Sequence, residues 1–321
     1  MKKYMFLLAL LCGVAALFFA GCGAQKSADQ GKDGNYLTIQ DNAGRTVTLT
    51  KKPEKVVVLS TSFLDLLYSV DGKAAGRPSS KTESVPEAAA SVPEVGFVYN
   101  VNLEKVMALQ PDLVIAVQGM HEKLLPTLES NHIPVLLLKY KTLEDTLTTI
   151  TLLGKIVGTE SKASQLVQSI QDKISAIKAK VPQGPPLKVA ILHATSKSVT
   201  VELDNTIAGS IAKRLGLVNV ASGTTAPDKD SDNVPYSLEK LVDSNPDMVF
   251  VVTMGNAAEI GARMKSDVES NPAWSTLSAV KNQKVYFLPS DLFLLNPGLK
   301  IPDAVEYMAK IVYPEVYGRV Q

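Results

Sequence analysis

Four side chains that can ligate a metal lie at the ends of apolar runs in this sequence: Met120, His121, His193 and Met254. Imidazole and thioether groups both ligate haem iron. If the apolar runs are strands in two facing halves of the molecule, ligands from both halves could clamp a flat iron complex. The alternative is that the methionines pack against other residues and that local hydrogen bonds hold each histidine.

Other polar and aromatic side chains follow apolar runs in the same way. In an open α/β sheet, the loops after the carboxyl ends of the strands line the ligand crevice. This rule adds six candidate ligand-binding residues: Thr61, Ser62, Arg77, Tyr99, Asn256 and Phe293. Arg77 could meet an anion or form a surface salt bridge. Tyr99 could stack on or ligate a macrocycle, or lie half-buried in a loop.

Other kinds of chemistry have little support in the sequence. Zinc sites use about three histidines with a carboxylate, whereas the chain has three histidines in all and no acidic cluster beside them. We therefore predict no resident metal and no intrinsic cofactor. The glycine-rich, nucleophile-elbow and His-Glu-x-x-His motifs of enzymes are absent from the sequence, which leaves catalysis without positive support. A net charge of +1 and 6% aromatic residues argue against nucleic acid as a partner.

Two stretches of the chain repeat each other at an offset of 135 residues. Residues 102–117 read NLEKVMALQPDLVIAV, and residues 237–252 read SLEKLVDSNPDMVFVV. Each copy predicts a short helix, a Pro-Asp turn and a buried strand. Solenoid repeats are only about 20–50 residues long, so this spacing indicates two similar α/β lobes instead. Two lobes enclose a cleft, which is a typical place for a ligand.

The repeat also places one glutamate near the start of each predicted helix, at Glu104 and Glu239. A carboxylate at a helix N-terminus is favourable by about 0.3–1 kcal/mol because it interacts with the helix dipole and the free N–H groups. This capping role is enough by itself to explain both residues.

Hydrophobic periodicity predicts the elements around the repeat. Alternation on either side of an Asn-Ala-Gly turn predicts a hairpin over 36–49. Continuous apolar runs predict buried strands at 55–59, 132–138 and 187–193. Apolar residues with helical spacing predict a helix of roughly 20 residues over 161–180. Since this helix lies between the two repeat copies, it is the candidate connector of the lobes.

The first 21 residues have the features of a secretory signal peptide. The chain begins with Met1-Lys-Lys, continues with an almost unbroken apolar run over 4–20, and then has small residues before Cys22. A positive start, an apolar centre and a small-residue cleavage site are typical of a segment that is removed from the mature protein.

The Ala-Gly-Cys sequence at Cys22 resembles the bacterial lipobox, in which cleavage leaves a cysteine that carries lipid. Phe19 departs from the usual Leu, Val or Ile of that pattern. Cys12 lies inside the signal, so the mature chain would have no intramolecular disulfide. Several acyl chains would hold Cys22 at a membrane, with the polar residues 23–34 as a flexible tether. The alternative is a simple secretory signal with an incidental cysteine.

The order of several segments resembles the solute-binding lipoproteins of ABC importers for iron complexes and cobalamin. The matching segments are Asp41-x-x-Gly-Arg-x-Val-Thr48, Pro53-x-Lys55-Val-Val-x-Leu59, the two Leu-Glu…Pro-Asp segments, Asn271-Pro-Ala-Trp274, Val280-Lys-Asn-Gln-Lys-Val-Tyr286 and the terminal Pro-Gly…Ala-Val-Glu-Tyr stretch. None is diagnostic alone, but their order extends over nearly the whole predicted mature chain.

This resemblance implies the binding component of an ABC importer, which captures siderophore- or haem-bound iron. Cobalamin is the alternative ligand, and a surface enzyme on the same scaffold is a distant alternative. The resemblance also implies that Glu104 and Glu239 dock onto arginines of a permease dimer driven by a cytoplasmic ATPase. The protein is expected to be a monomer anchored through Cys22 at the extracytoplasmic face of the membrane, in a periplasm or at a Gram-positive cell surface.

The expected fold class is therefore α/β, with two Rossmann-like lobes joined by a single long helix and a ligand cleft between them. The predicted divisions are a signal peptide (1–21), a lipidated N-terminus and tether (22–35), an N-terminal lobe (36–158), an interlobe helix (159–182), a C-terminal lobe (183–296) and a C-terminal helical segment (297–321).

Overall fold

The computed structural model describes residues 34–80, 85–228, 231–294 and 297–319. The predicted signal peptide, the candidate lipidation site Cys22 and the tether up to residue 33 lie outside the described residues. Within the described ranges, no helix has both the length and the apolar character needed to cross a membrane.

Strands and helices alternate along most of the described chain. The strands are β1 (Leu37–Gln40), β2 (Thr46–Leu49), β3 (Val56–Val58), β4 (Ala74–Ser79), β5 (Glu94–Phe97), β6 (Asn100–Val101), β7 (Leu113–Val117), β8 (Val135–Leu138), β9 (Lys188–Thr195), β10 (Val199–Glu202), β11 (Val218–Asn219), β12 (Asn233–Pro235), β13 (Met248–Met254) and β14 (Val285–Phe287). The helices are α1 (Thr61–Ser69), α2 (Leu103–Ala108), α3 (Leu125–Ser130), α4 (Leu143–Val157), α5 (Glu160–Lys178), α6 (Ile207–Arg214), α7 (Leu238–Ser244), α8 (Ala257–Met264), α9 (Ser278–Lys281), α10 (Ser290–Phe293), α11 (Ile301–Val312) and α12 (Pro314–Tyr317).

A six-stranded sheet forms the N-terminal lobe, with the strand order β6-β5-β4-β3-β7-β8. Four neighbouring pairs are parallel, and β5 with β6 is antiparallel. Every residue of β3, β7 and β8 is buried, as expected for parallel strands that are covered on both faces. The predicted hairpin is present as β1 and β2, and its turn residue Asn42 hydrogen-bonds to Leu137 and Lys139 at the edge strand β8.

The C-terminal lobe has a second sheet, with the order β12-β10-β9-β13-β14 and with β11 also paired to β9. The central pairs β9–β13 and β13–β14 are parallel, whereas β10 is antiparallel to both β9 and β12. The two lobes together confirm the predicted α/β architecture.

The sequence repeat corresponds to a structural repeat. Helix α2 and strand β7 form the first copy, and helix α7 and strand β13 form the second. The aspartate of the Pro-Asp turn makes the same kind of hydrogen bond in both lobes. Asp112 accepts hydrogen bonds from the backbone N–H of Glu54 and Lys55 just before β3, and Asp247 accepts one from Lys188 at the start of β9. Each carboxylate therefore fixes the start of the neighbouring parallel strand.

Helix α5 connects the lobes and begins and ends within the predicted 159–182 segment. A single buried apolar cluster extends from the N-terminal lobe through this helix into the C-terminal lobe. It includes Phe63 of α1, Leu153 of α4, Ile174 of α5, Ile211 of α6 and Met308 of α11. The C-terminal helix α11 packs against both α5 and α6. The five helices form what we call the spine, which joins the two sheets through a shared core.

The shared core predicts that the lobes unfold together. Replacing Ile174 with alanine should lower the free energy of unfolding by about 2–5 kcal/mol, because it removes buried methyl groups and leaves a cavity. Urea denaturation followed by circular dichroism measures this loss. Lys173→Ala is the matched control, since Lys173 is exposed on the same helix. Two separate transitions, only one of them shifted by Ile174→Ala, would contradict a core shared by both lobes.

Candidate functional site

A cleft of about 300 Å³ lies between the lobes, at the carboxyl ends of strands β7, β8 and β9. Residues of both lobes line it: Val117, Gln118, Gly119, Met120, Lys139, Tyr140 and Lys141 from the N-terminal lobe, and His193, Glu202, Thr206, Ile207, Asp232, Asn233, Phe293 and Leu294 from the C-terminal part of the chain. Three of the ten predicted ligand-binding residues are therefore in the cleft, namely Met120, His193 and Phe293.

His193 is the histidine that faces the cleft. Its Nδ1 lies 3.0 Å from Oε1 of Glu202, and Glu202 itself is only 3% exposed. The antiparallel register of β9 and β10 pairs His193 with Thr200. Because side chains alternate along a strand, Glu202 lies on the same face of the sheet. A neutral imidazole that donates its Nδ1–H to a carboxylate keeps a lone pair on Nε2.

Met120 lines the cleft from the opposite lobe, and its side chain is 40% exposed. The preceding Gly119 has a φ of +85°, a backbone conformation that glycine adopts without steric cost. The chain therefore turns after β7, and Met120 lies at the cleft surface.

Charged groups of both signs surround the cleft. Lys141, just after β8, forms an ion pair of 2.7 Å with Asp232 of the C-terminal lobe. Lys139 and Tyr140 belong to the same segment, and the ring of Tyr140 packs edge-on against Phe63 of the spine at 5.3 Å. The Lys141–Asp232 pair is thus a direct polar contact between the lobes at the cleft.

His121 is buried inside the N-terminal lobe and does not line the cleft. Its Nδ1 accepts a hydrogen bond from the N–H of Val117, and its Nε2–H donates to the carbonyl of Val98 at 2.6 Å. Burial lowers the pKa of His121 and outweighs the opposing effects of the Val98 carbonyl and Glu122. Both ring nitrogens are occupied, so the hydrogen-bonding alternative describes this residue and it has no nitrogen left for iron.

Arg77 is also held inside the N-terminal lobe. Its guanidinium forms an ion pair of 3.0 Å with Glu94 and donates hydrogen bonds to the carbonyls of Pro78 and Ala90. These contacts tie β4 to β5 and to the turn before it. Arg77 therefore forms a salt bridge, which was the alternative to binding an anionic ligand. The arginine side chain of this bridge is largely buried, and the Glu94 side chain is exposed.

The remaining predicted ligand residues are also absent from the described lining of the cleft. Thr61 is buried and Ser62 is half-buried at the start of α1. Asn256 is the N-cap of α8, where its side chain accepts hydrogen bonds from two backbone N–H groups. Met254 and Tyr99 are both mostly exposed, and the Tyr99 ring stacks on Phe97.

Sequence reasoning missed several residues of the cleft. Lys139, Tyr140 and Lys141 directly follow strand β8, so the rule that selected the other candidates should have included them. Glu202 did have a signal in the sequence, because it is a charged residue at the end of a strand otherwise made of valine and threonine. Asp232 had no such signal, because it precedes strand β12 and reaches the cleft only through the tertiary fold.

Glu104 and Glu239 are exposed in the first turns of α2 and α7. The capping hydrogen bonds come from other side chains, since Asn102 accepts from the N–H of Lys105 and Ser237 accepts from that of Lys240. Neither glutamate has a side-chain hydrogen bond or ion pair within the described ranges. Each glutamate lies in the first turn of the helix that precedes a central parallel strand of its lobe, β7 or β13.

Sequence comparison agrees with this architecture. The sequence pattern of the periplasmic binding protein family matches residues 56–292. This chain belongs to the periplasmic binding protein family. The match covers most of both lobes, including the two repeat copies and the residues on both sides of the cleft.

Two relatives from Bacillus subtilis strain 168 match nearly the full length. The chain is 29% identical to the ABC transporter substrate-binding lipoprotein YvrC, covering 95% of this chain and 96% of YvrC. It is 27% identical to the Fe(3+)-citrate-binding protein YfmC, covering 95% of each chain.

Two solved structures have the same fold. An ABC transporter substrate-binding protein from Listeria monocytogenes EGD-e has a TM-score of 0.71 and 26% identity, covering 81% of this chain and 98% of that one. IsdE of Staphylococcus aureus complexed with heme has a TM-score of 0.70 and 24% identity, again covering 81% and 98%.

The buried His121 predicts a pH dependence of stability. Because its pKa is lowered from 6.5 by burial, the unfolded chain binds a proton more readily than the folded chain does. The stabilisation is complete above about pH 6.5 and is lost as the pH falls through the lowered pKa of the folded state. Urea unfolding at pH 7.5 and 5.5 should show a smaller pH effect in His121→Gln than in the wild type. His132→Asn is the control, because His132 is exposed, and it should keep the wild-type pH dependence of the free energy of unfolding. If His121→Gln kept that dependence as well, the buried His121 would not be its source.

Proposed function

We propose that this protein is the substrate-binding component of an ABC importer, and that it captures an iron complex outside the cytoplasmic membrane. The observation that carries the proposal is the imidazole of His193, which Glu202 holds at the surface of a cleft between two lobes. Imidazole is a good ligand for iron. The names of relatives support iron as the cargo, because YfmC binds Fe(3+)-citrate and IsdE holds heme in the same fold.

Haem is the cargo that the cleft favours. His193 and Met120 line the cleft from opposite lobes, and imidazole and thioether are the two side-chain groups that hold haem iron in cytochromes of the c type. A ligand from each lobe would bind both faces of the ring. Closure of the lobes would then need no chemical step, since capture depends only on a higher affinity for the closed state.

A ferric siderophore with carboxylate groups is the second candidate. Lys139, Tyr140 and Lys141 follow one another on the N-terminal side of the cleft, and cationic groups bind carboxylates through strong charge-assisted hydrogen bonds. Cobalamin has less support, because Tyr140 and Phe293 are the aromatic side chains in the described lining of the cleft.

A ligand titration shows which of haem, a ferric siderophore and cobalamin the protein binds. We expect haemin to bind saturably with a shift of its absorbance spectrum, and His193→Ala to lower its affinity at least about tenfold. Ferric citrate and cobalamin are titrated in parallel by calorimetry. Trp274 is a poor reporter because it is buried on the far face of the C-terminal sheet. His132→Asn is the control, since His132 lies outside the cleft. Binding of neither haemin nor ferric citrate would contradict an iron-complex cargo, whether or not cobalamin binds.

The delivery step is proposed to use Glu104 and Glu239. They are exposed carboxylates in equivalent positions of the two lobes. One negative charge per lobe suits a permease dimer with cationic groups related by two-fold symmetry. Lipid on Cys22 would keep the monomeric protein at the extracytoplasmic membrane face, beside that permease.

Charge reversal tests the docking role. Glu104→Lys and Glu239→Lys should each abolish most ligand uptake by cells. The affinity for the ligand in solution should stay within about twofold, because neither residue lines the cleft and exposed charges are screened by salt. Glu315→Lys, an exposed change on the C-terminal helix α12, controls for the added charge. Normal uptake with both reversed carboxylates, or a large loss of affinity, would refute the assignment.

A further inference from the structure

Glu202 is a buried carboxylate with a single hydrogen bond from a side chain. Its Oε1 lies 3.0 Å from Nδ1 of His193, and an ionised carboxylate can only accept in this contact. Its Oε2 has no partner within the described residues. Its backbone is fixed, since the side chain of Asn219 donates to its carbonyl oxygen at 2.8 Å and Asn233 is its pairing partner on β12. The position of the Glu202 side chain therefore follows from the sheet.

The fold alone does not require a carboxylate at this position. Thr200, the other residue of β10 on the same face, has an uncharged side chain, and a side chain without charge would be buried at position 202 at lower cost. A buried carboxylate is unfavourable unless partners compensate for its lost hydration. Glu202 has one such partner among the described side chains, so its position is best explained by what it does to His193.

The hydrogen bond determines the state of the imidazole. A carboxylate that accepts Nδ1–H favours the tautomer with the lone pair on Nε2, and it also fixes the rotation of the ring. Nε2 of His193 has no hydrogen bond within the described residues, and the ring is at the cleft surface. Metal-binding histidines commonly have such a carboxylate behind the ring, which orients the ligand and increases its basicity.

The other carboxylate in the cleft lining does not orient the imidazole of His193. Asp232 is bound to Lys141 across the cleft at 2.7 Å, and no hydrogen bond joins it to His193. Glu202 is therefore the carboxylate that controls the imidazole.

We propose that Glu202 is a positioning residue, which holds the imidazole of His193 with the Nε2 lone pair facing the cleft and ready for the iron of the cargo. The proposal rests on the proposed function, in which the cargo is an iron complex. Its structural part, the tautomer and orientation of His193, can be measured without any cargo.

The first measurement is the tautomer of His193 in the ligand-free protein. Long-range ¹H–¹⁵N correlation spectra at neutral pH show which ring nitrogen carries the proton. The chain has three histidines, so His193→Gln assigns the signal by its disappearance. The wild type should have Nδ1–H. Glu202→Gln should retain it because the amide oxygen still accepts, whereas Glu202→Ala should populate the Nε2–H form. Asp204→Asn, a nearby carboxylate outside the cleft lining, should leave the tautomer unchanged.

The second measurement is affinity for haemin and for ferric citrate. Loss of the carboxylate should lower the affinity for whichever iron complex the wild type binds, by about 10–100-fold. Glu202→Gln removes the charge, and Glu202→Ala removes both the charge and the group that orients the ring. Asp204→Asn should bind like the wild type. Circular dichroism and thermal unfolding establish that each variant is folded, and Glu202→Gln provides the test if Glu202→Ala is not.

The outcomes separate the two proposals. An Nε2–H tautomer in the wild type overturns the positioning role, whatever the protein binds. Unchanged affinity in Glu202→Gln and Glu202→Ala, for a complex that His193→Ala no longer binds, also overturns it. An Nδ1–H tautomer that depends on Glu202, in a protein that binds neither probe, supports the positioning role and overturns only the iron cargo.

Discussion

The interlobe core is the constraint on which the rest of the structure depends. Each sheet buries one face against the same group of helices, and α5 carries the chain from one lobe to the other through that group. Apolar side chains such as Ile170 and Ile174 of α5 are buried in the cluster that also contains Val56 of the first lobe and Val189 of the second. Close-packed protein cores resist deformation. The two walls of the cleft are therefore held by a packed spine, and closure around a ligand is expected to be small.

The repeated segment gives the two lobes the same central helix–strand unit, although the edge strands of their sheets differ. In each lobe the Pro-Asp aspartate, Asp112 or Asp247, fixes the start of a neighbouring parallel strand. That contact aligns the carboxyl ends of the central strands at one end of the sheet, where the cleft lies. In the second lobe the antiparallel strand β10 pairs with β9, the neighbour of β13, whereas the antiparallel strand of the first lobe, β6, pairs with β5 near the edge of its sheet. Strand β10 supplies Glu202, so the feature that breaks the symmetry of the repeat also provides the partner of His193.

Much of the fold followed from the sequence because hydrophobic patterning is local. The hairpin, the buried parallel strands and the connector helix were all predictable from periodicity. The site was less predictable, since His121 and His193 both lie near strand ends and their sequence contexts do not distinguish them. The fold does, by placing the carbonyl of Val98 against one ring and Glu202 against the other. The docking carboxylates and the lipid anchor at Cys22 stay predictions, because neither depends on contacts within the described chain.

A rigid spine changes how binding can be signalled to a partner. If the lobes move little, Glu104 and Glu239 keep a nearly constant separation. In the docking role proposed for them, they would then report poorly on whether the cleft is occupied. The groups that do respond must lie at the cleft itself. Lys141 and Asp232 join the lobes there, and an anionic cargo would compete with Asp232 for the ammonium of Lys141. If a cargo exchanged that cross-lobe ion pair for its own contact with Lys141, occupancy would be coupled to the interlobe contact without a large hinge motion. The change would then lie at the cleft rather than at the proposed docking carboxylates.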